Sequence, residues 1–268
     1  MRLRFEASTF ARGKRPQQNL SDPEGTVSGE IVIVLGLGEV GRPLLNILSR
    51  TYECIGIDLE PLPVFQHCSV LHVCYPSQIS HFIETTVSYV EKYSPDLVII
   101  NSTVEPGTTR RIEERVGCPV VFSPVRGKHV KMEQDLLRYV KFVAGTTLPA
   151  VEKAEQHFVG AGFRTATFPN PEIGEVSKLV ETTWLGLLIG WAQEVERLAA
   201  QYGGSYEDIN AFMKEIDFLP SHIYPGHIGG HCVMPNIALL QRIAASKFLD
   251  AVVESNFAKE QETLVSLK

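Results

Sequence analysis

Ile31-Val-Ile-Val-Leu-Gly36-Leu-Gly38-Glu39-Val40-Gly41-Arg-Pro-Leu-Leu45, followed by Tyr52-Glu-Cys-Ile-Gly-Ile-Asp58, is the stretch that decides the fold. An apolar run ending at a glycine reads as a buried strand, and three glycines follow in the spacing G-x-G-x-x-G. An amphipathic helix then begins, and a second strand ends in an acid. Gly36 permits a tight turn, Gly38 lets backbone approach a pyrophosphate, and Gly41 lets the helix pack closely on the strand. Glu39 and Val40 complete the turn beside the phosphates, which sit at the positive end of the helix dipole. Asp58 stands where a carboxylate accepts hydrogen bonds from an adenosine ribose. With no arginine beside it, Asp58 favours NAD over NADP. The alternatives are an ordinary glycine-rich turn, or a site for another adenosine ligand.

Downstream, strands and helices alternate. Residues 69–74 read as a third strand, 78–92 as a helix, 96–101 as a fourth strand and 108–115 as a short helix. Residues 119–122 and 141–144 read as a fifth and a sixth strand. Strands separated by helices imply parallel units with right-handed crossovers, hence an α/β, Rossmann-type doubly wound sheet over residues 30–170. Ligands bind outside the carboxyl ends of such strands. That singles out three loops: Tyr75-Pro76-Ser-Gln78, Ser102-Thr103-Val-Glu-Pro-Gly-Thr108 and Ser123-Pro-Val-Arg-Gly-Lys-His129. Tyr75, Pro76, Ser102 and Thr103 join the cofactor-binding set.

Near residue 170 the texture changes. Ile173, Val176, Leu179, Val180, Leu187, Leu188, Trp191, Val195 and Leu198 recur at three- and four-residue spacings and make one long helix of residues 172–201. Pro171 opens it and Gly203-Gly204 stops it. Ser205-Tyr-Glu-Asp208 reads as the capped start of another helix. Residues 171–268 are thus a small all-helical domain for substrate and dimerisation, apart from a Pro-, Gly- and His-rich segment at 219–236. Apolar and Trp residues on more than one face of the long helix imply a homodimer through residues 172–201; the alternative is a helical subdomain folded back on its own sheet.

The chain has 268 residues, 44% hydrophobic and 21% charged, enough for a substantial core. A net charge of −6 argues against a nucleic-acid surface, and no apolar run reaches the length of a membrane span. Residues 1–29 hold Arg2, Arg4, Arg12, Lys14 and Arg15 but lack the apolar centre of a secretory signal, and read as a loose N-terminal extension or one edge strand at residues 3–5, ahead of an organellar transit segment, which their Arg content only faintly suggests. Cys54, Cys68, Cys74, Cys118 and Cys232 form no metal-type pair, which suits free thiols in the cytoplasm. His222, His227, His231 and Cys232 match no familiar ligand spacing, so no metal is expected.

Three local patterns narrow the reading: Asn101-Ser-Thr-Val-Glu-Pro-Gly-Thr-Thr109, Gly174-Glu-Val-Ser-Lys178-Leu-Val-Glu-Thr182, and Pro225-Gly-His-Ile-Gly229-Gly230-His231-Cys232. Together they resemble the nucleotide-sugar 6-dehydrogenase family of UDP-glucose, GDP-mannose and UDP-N-acetylmannosamine dehydrogenases, from about residue 30 to residue 236. The resemblance implies oxidation of an alcohol to a carboxylate in two NAD-dependent steps, through a thiohemiacetal on a cysteine. By it, Cys232 is the nucleophile, Lys178 stabilises an oxyanion or exchanges a proton, and Thr103 organises water near the nicotinamide. Three positions depart from the pattern. Thr182 stands where the family has Asn, Asn236 where it has Asp, and the loop after the fifth strand lacks the family's Glu. An amide is no general base at neutral pH; His129 is a candidate substitute, or equally a surface residue beside Lys128 and Lys131. The chain also stops short of the family's second nucleotide-gripping domain, and its connection from the second to the third strand is short. The substrate is accordingly a sugar nucleotide or a smaller hydroxylated molecule. A β-hydroxyacid dehydrogenase-like enzyme also fits Gly174 and Lys178, and an adenosine-cofactor protein without redox chemistry is the reading from a different class.

Overall fold

The computed structural model describes residues 30–60, 62–64, 66–220 and 222–266. The expectations for residues 1–29 fall outside these. β1 (Glu30–Leu35), β2 (Cys54–Ile57), β3 (His67–Val73), β4 (Val98–Ile100) and β5 (Val120–Phe122) form one parallel sheet in the order β2-β1-β3-β4-β5. The chain moves outward from β1 to β2, then crosses back and runs the other way from β3 to β5. The switch point therefore lies between β1 and β3, where Leu35 pairs with Ile57 on one side and Val73 on the other. A crevice opens there at the carboxyl ends of the strands. Among the described residues of the crossover from β2 to β3, 58–66, there is no helix.

Alternation along the strands separates two cores. Ile31, Ile33 and Leu35 pack with Val98, Ile100 and Phe122 beneath α2 (Phe82–Tyr93) and α3 (Thr108–Glu113). Val32, Val34, Ile99 and Val121 face α1 (Gly41–Leu48), α4 (Met132–Arg138) and α5 (Leu148–Gly160). The sequence reading differs from the structure at its sixth strand. β6 (Lys141–Val143) pairs in parallel with β7 (Thr165–Thr167) in a separate two-stranded sheet, and an isolated antiparallel bridge between Phe122 and Ala144 links it to the large one. The strand was visible in the pattern, but its partner lies across α5 and was not.

α6 (Pro171–Gln201) spans both halves of the molecule. Asn170 caps it by accepting from the Ile173 amide at 2.9 Å, and Pro171 sits in the first turn. Its first turns lie on the sheet: a Cβ on Gly174 would come within 2.9 Å of Phe122 and 3.2 Å of Ala144. Its remainder supports α7 (Tyr206–Met213), α8 (Val233–Ile243) and α9 (Lys247–Ser266). Leu179, Ile237, Leu240, Leu249 and Val252 form the core of that bundle. Ser205 and Asp208 make the reciprocal capping box that opens α7.

Candidate active site

The glycine loop adopts its demanding geometry. Gly36 has φ of +84°, and a Cβ there would stand 2.7 Å from the Tyr75 amide nitrogen. A Cβ on Gly41 would collide with the Gly36 carbonyl at 1.8 Å, so only glycine lets α1 start so close to β1. Around Gly38, by contrast, a Cβ would meet nothing within 4 Å. No side chain caps the α1 N-terminus. Asp58 closes this end by accepting from the Leu37 amide at 3.3 Å. The floor is tied by Ser102, whose hydroxyl donates to the Tyr75 carbonyl at 2.6 Å, and by Ser77, which donates to the Thr103 carbonyl at 2.5 Å.

A cleft of about 1100 Å³ runs from this loop to α6 and α8. Gly36, Gly38, Glu39, Val40, Asp58, Tyr75, Pro76, Ser102, Thr103, His129, Lys178, Cys232 and Asn236 all line it. Gly41 lies behind the wall, as its packing task requires. The open space at Gly38, the uncapped helix start and the carboxylate ending β2 fit a dinucleotide with its phosphates on α1 and a ribose at Asp58.

Lys178 reaches the cleft because a buried carboxylate anchors its helix. Glu175, fully buried on α6, accepts from the Gly107 amide at 2.6 Å, the Thr109 amide at 2.8 Å and the Thr109 hydroxyl at 2.7 Å. It thus caps α3, an element distant in sequence, and fastens the Ser-Thr-Val-Glu-Pro-Gly-Thr loop to the helix that carries Lys178. Burial raises its pKa from the ordinary carboxylate value, against the hydrogen bonds that lower it. The Lys178 side chain is 13% exposed and its Nζ donates to Glu181 at 3.0 Å, so it is not a solvated surface lysine.

Cys232 is exposed at the start of α8, whereas the other four cysteines are buried or half-buried. The turn before it is pinned from behind: Gln193 donates to the Gly226 carbonyl at 2.8 Å, and Asn256 accepts from the Ile228 amide at 2.7 Å. The Cys232 thiol lies 3.5 Å from Nε2 of His129. On its other face His129 Nδ1 makes a close contact with Glu39 Oε2, and the same Glu39 oxygen is 3.0 Å from Nε2 of His231. Partial burial raises the thiol pKa; Lys178 pulls it down and Glu39 pushes it up. His129, His231 and Cys232 bring donor atoms within 4.8 Å of one another, and neither His222 nor His227 belongs to that group.

Two of the departures meet. Asn236, buried on α8, donates from Nδ2 to the Thr182 hydroxyl of α6 at 2.9 Å. Thr182 also hydrogen-bonds the Leu179 carbonyl at 3.0 Å. Glu175, Gln193 and Asn256 carried no role in the sequence reading. The signal for Glu175 was a carboxylate on the buried stripe of Leu179, Thr183, Gly186 and Gly190; Gln193 and Asn256 gave none.

Residues 172–258 match the UDP-glucose/GDP-mannose dehydrogenase family, central domain. The UDP-N-acetyl-D-mannosamine dehydrogenase of Pyrococcus horikoshii is 25% identical over 182 residues, covering 64% of this chain and 43% of that protein. A structure of UDP-D-ManNAc dehydrogenase from the same organism superposes with a TM-score of 0.74 at 20% identity, over 86% of this chain and 68% of that one. A UDP-glucose dehydrogenase from Pyrobaculum islandicum gives 0.73 at 17% identity, over 89% and 70%. The chain spans about half the length of the curated nucleotide-sugar dehydrogenases it matches, and the family match runs beyond Asn236 to the middle of α9.

Proposed function

We propose that the chain works as an NAD-dependent oxidoreductase on an alcohol or aldehyde of a nucleotide sugar or a smaller hydroxylated substrate. The observation that carries this reading is one cleft that holds both a dinucleotide-type glycine loop and an exposed thiol beside a half-buried lysine. NAD, when bound, supplies the hydride acceptor. Asp58 and the α1 N-terminus hold its adenosine side, while Ser102 and Thr103 form the floor toward the reacting end. Lys178 stabilises negative charge on the substrate oxygen, and Thr103 and Thr182 order water and hydroxyl groups around it. Cys232 adds to the aldehyde and holds the carbon as a thiohemiacetal. Neither the β-hydroxyacid reading nor a non-redox adenosine site gives a role to this cysteine and its histidine.

The assembly we infer is a homodimer through α6. Ile173, Val180, Trp184, Trp191 and Leu198 form a stripe at seven- and four-residue spacing, with Trp184 60% and Trp191 58% exposed. Among the described residues no helix is long and apolar enough to cross a membrane, and all five cysteines are free. With the free thiols, a reducing compartment such as the cytoplasm is the setting we favour. The test is calorimetric titration with NAD, followed by turnover with nucleotide sugars and their aldehydes. Cys232→Ser should abolish acid formation and leave alcohol–aldehyde exchange intact. Absence of NAD binding, or equal acid formation by the variant, overturns the reading.

A further inference from the structure

Glu39 occupies an unusual place. It belongs to the glycine loop, between Gly38 and Gly41, yet its side chain crosses the cleft to two histidines from distant segments. An ionised carboxylate can only accept, so His129 presents Nδ1–H to Glu39 and leaves the Nε2 lone pair free. That lone pair points at the Cys232 thiol, its one hydrogen-bond partner among the described residues. We propose that His129 is the proton acceptor for Cys232 and that Glu39 is the positioning residue that fixes its tautomer, so that a Glu39–His129–Cys232 relay replaces a carboxylate base.

The step balances within the chain and an aldehyde. The thiol proton moves from sulfur to His129 Nε2, and the sulfur lone pair forms the S–C bond. The carbonyl π pair moves to oxygen, which then takes the proton back from His129. No oxidant enters, and Glu39 stays ionised while its charge stabilises the transient imidazolium. Burial raises the pKa of the thiol, which makes an adjacent base necessary rather than decorative. The other charged or titratable groups around the relay are Lys178 with its partner Glu181, His231, and Lys128, Lys131 and Arg126 on the loop wall. The location also couples the two halves of the cleft: the loop that receives phosphates is the loop that orients the base.

This inference rests on the proposed role of Cys232 but is tested without cofactor or substrate, so failure of the NAD reading leaves a separate signature in the titration. Alkylation of the intact protein by iodoacetamide is followed against pH, with Cys232→Ser subtracted. Burial keeps the other thiols out of the way, with Cys68 and Cys74 pushed up to about 12 and Cys118 to about 11. At pH 7, below the thiol range, His129→Ala should lower the rate by at least about tenfold. Glu39→Gln should lower it about tenfold, and Glu39→Asp, which keeps an acceptor for the imidazole N–H, should restore most of it. A merely structural Glu39 would show no such rescue. A His129→Ala profile unchanged from the wild type overturns the relay. So does a Glu39→Gln rate equal to the wild type, a Glu39→Asp variant no faster than Glu39→Gln, or alkylation that becomes fast only after a chelator, which would make the thiol a metal ligand.

Discussion

Removing Glu175 should uncouple the long helix from the sheet. Its carboxylate accepts three hydrogen bonds from Gly107 and Thr109 in a fully buried position. Hydrogen bonds to a charged group contribute roughly 1.5–3 kcal/mol each. Burial works against them here, since it shifts the group toward its neutral form. Taking the low end for each bond, Glu175→Ala should cost about 4 kcal/mol. Glu175→Gln keeps one acceptor and carries no buried charge. The raised folded-state pKa means that stability falls as pH rises through it, so losing the charge is not itself costly. The amide variant should therefore lose only about 1–2 kcal/mol. Urea unfolding at constant m-value reads both numbers. The anchor also sets Lys178, one helical turn further on, so turnover in Glu175→Ala should fall more than NAD affinity. An alanine variant within about 1 kcal/mol of wild type, or a glutamine variant as damaged as the alanine, refutes the capping argument.

A second expectation concerns His72 and His157, whose Nε2 atoms lie 2.9 Å apart inside the core. Burial lowers both pKa values, that of His157 to about 4 and that of His72 well below the ordinary histidine range. The unfolded chain therefore binds more protons below about pH 6.5, and stability falls with pH from there until the folded pKa is passed. His157 alone should cost about 2 kcal/mol at pH 5, with His72 adding in the same direction. Urea midpoints that stay level between pH 7 and pH 5 would contradict it, and His157→Phe should flatten the dependence. The Trp184→Glu/Trp191→Glu pair should sediment as a monomer where the wild type sediments as a dimer; a monomeric wild type removes the α6 interface.

Most of the sheet and its glycine loop was legible because the signals are local. Gly36, Gly38, Gly41 and Asp58 are read from one strand–turn–helix–strand unit, and steric demands at Gly36 and Gly41 leave no other residue. β6 was legible as a strand but not as part of a second sheet, since a three-residue run carries no information on which partner it meets. Lys141 illustrates the limit further. Nothing in its short strand marks it out, yet its Nζ is buried and donates to Asn101, Ser123 and Pro124, with burial lowering its pKa to about 7. Cys232 and Lys178 were proposed from motifs, and His129 from the loop that lacks the family's acid; the structure places all three on one cleft. The position of Glu39 was legible, but its partners depended on how α8 and the loop after β5 close over α1, which no local pattern encodes.

The departures from the family pattern sort into two physical units. Thr182 and Asn236 hydrogen-bond one another, and neither an amide nor an aliphatic hydroxyl draws a proton from water at neutral pH. That pair is a packing solution between α6 and α8, and it withdraws both positions from acid–base work. The other unit, Glu39 with His129, has no such closure. Its Nε2 faces an exposed thiol rather than a second saturated group. A buried polar pair that only stabilised the fold would have its capacity filled, as Glu175 does on α3. An imidazole with a fixed tautomer and its lone pair turned to a sulfur in an open cleft stabilises little and is suited to moving a proton. The proposed relay accordingly assigns proton transfer at Cys232 to His129 rather than to Thr182 or Asn236.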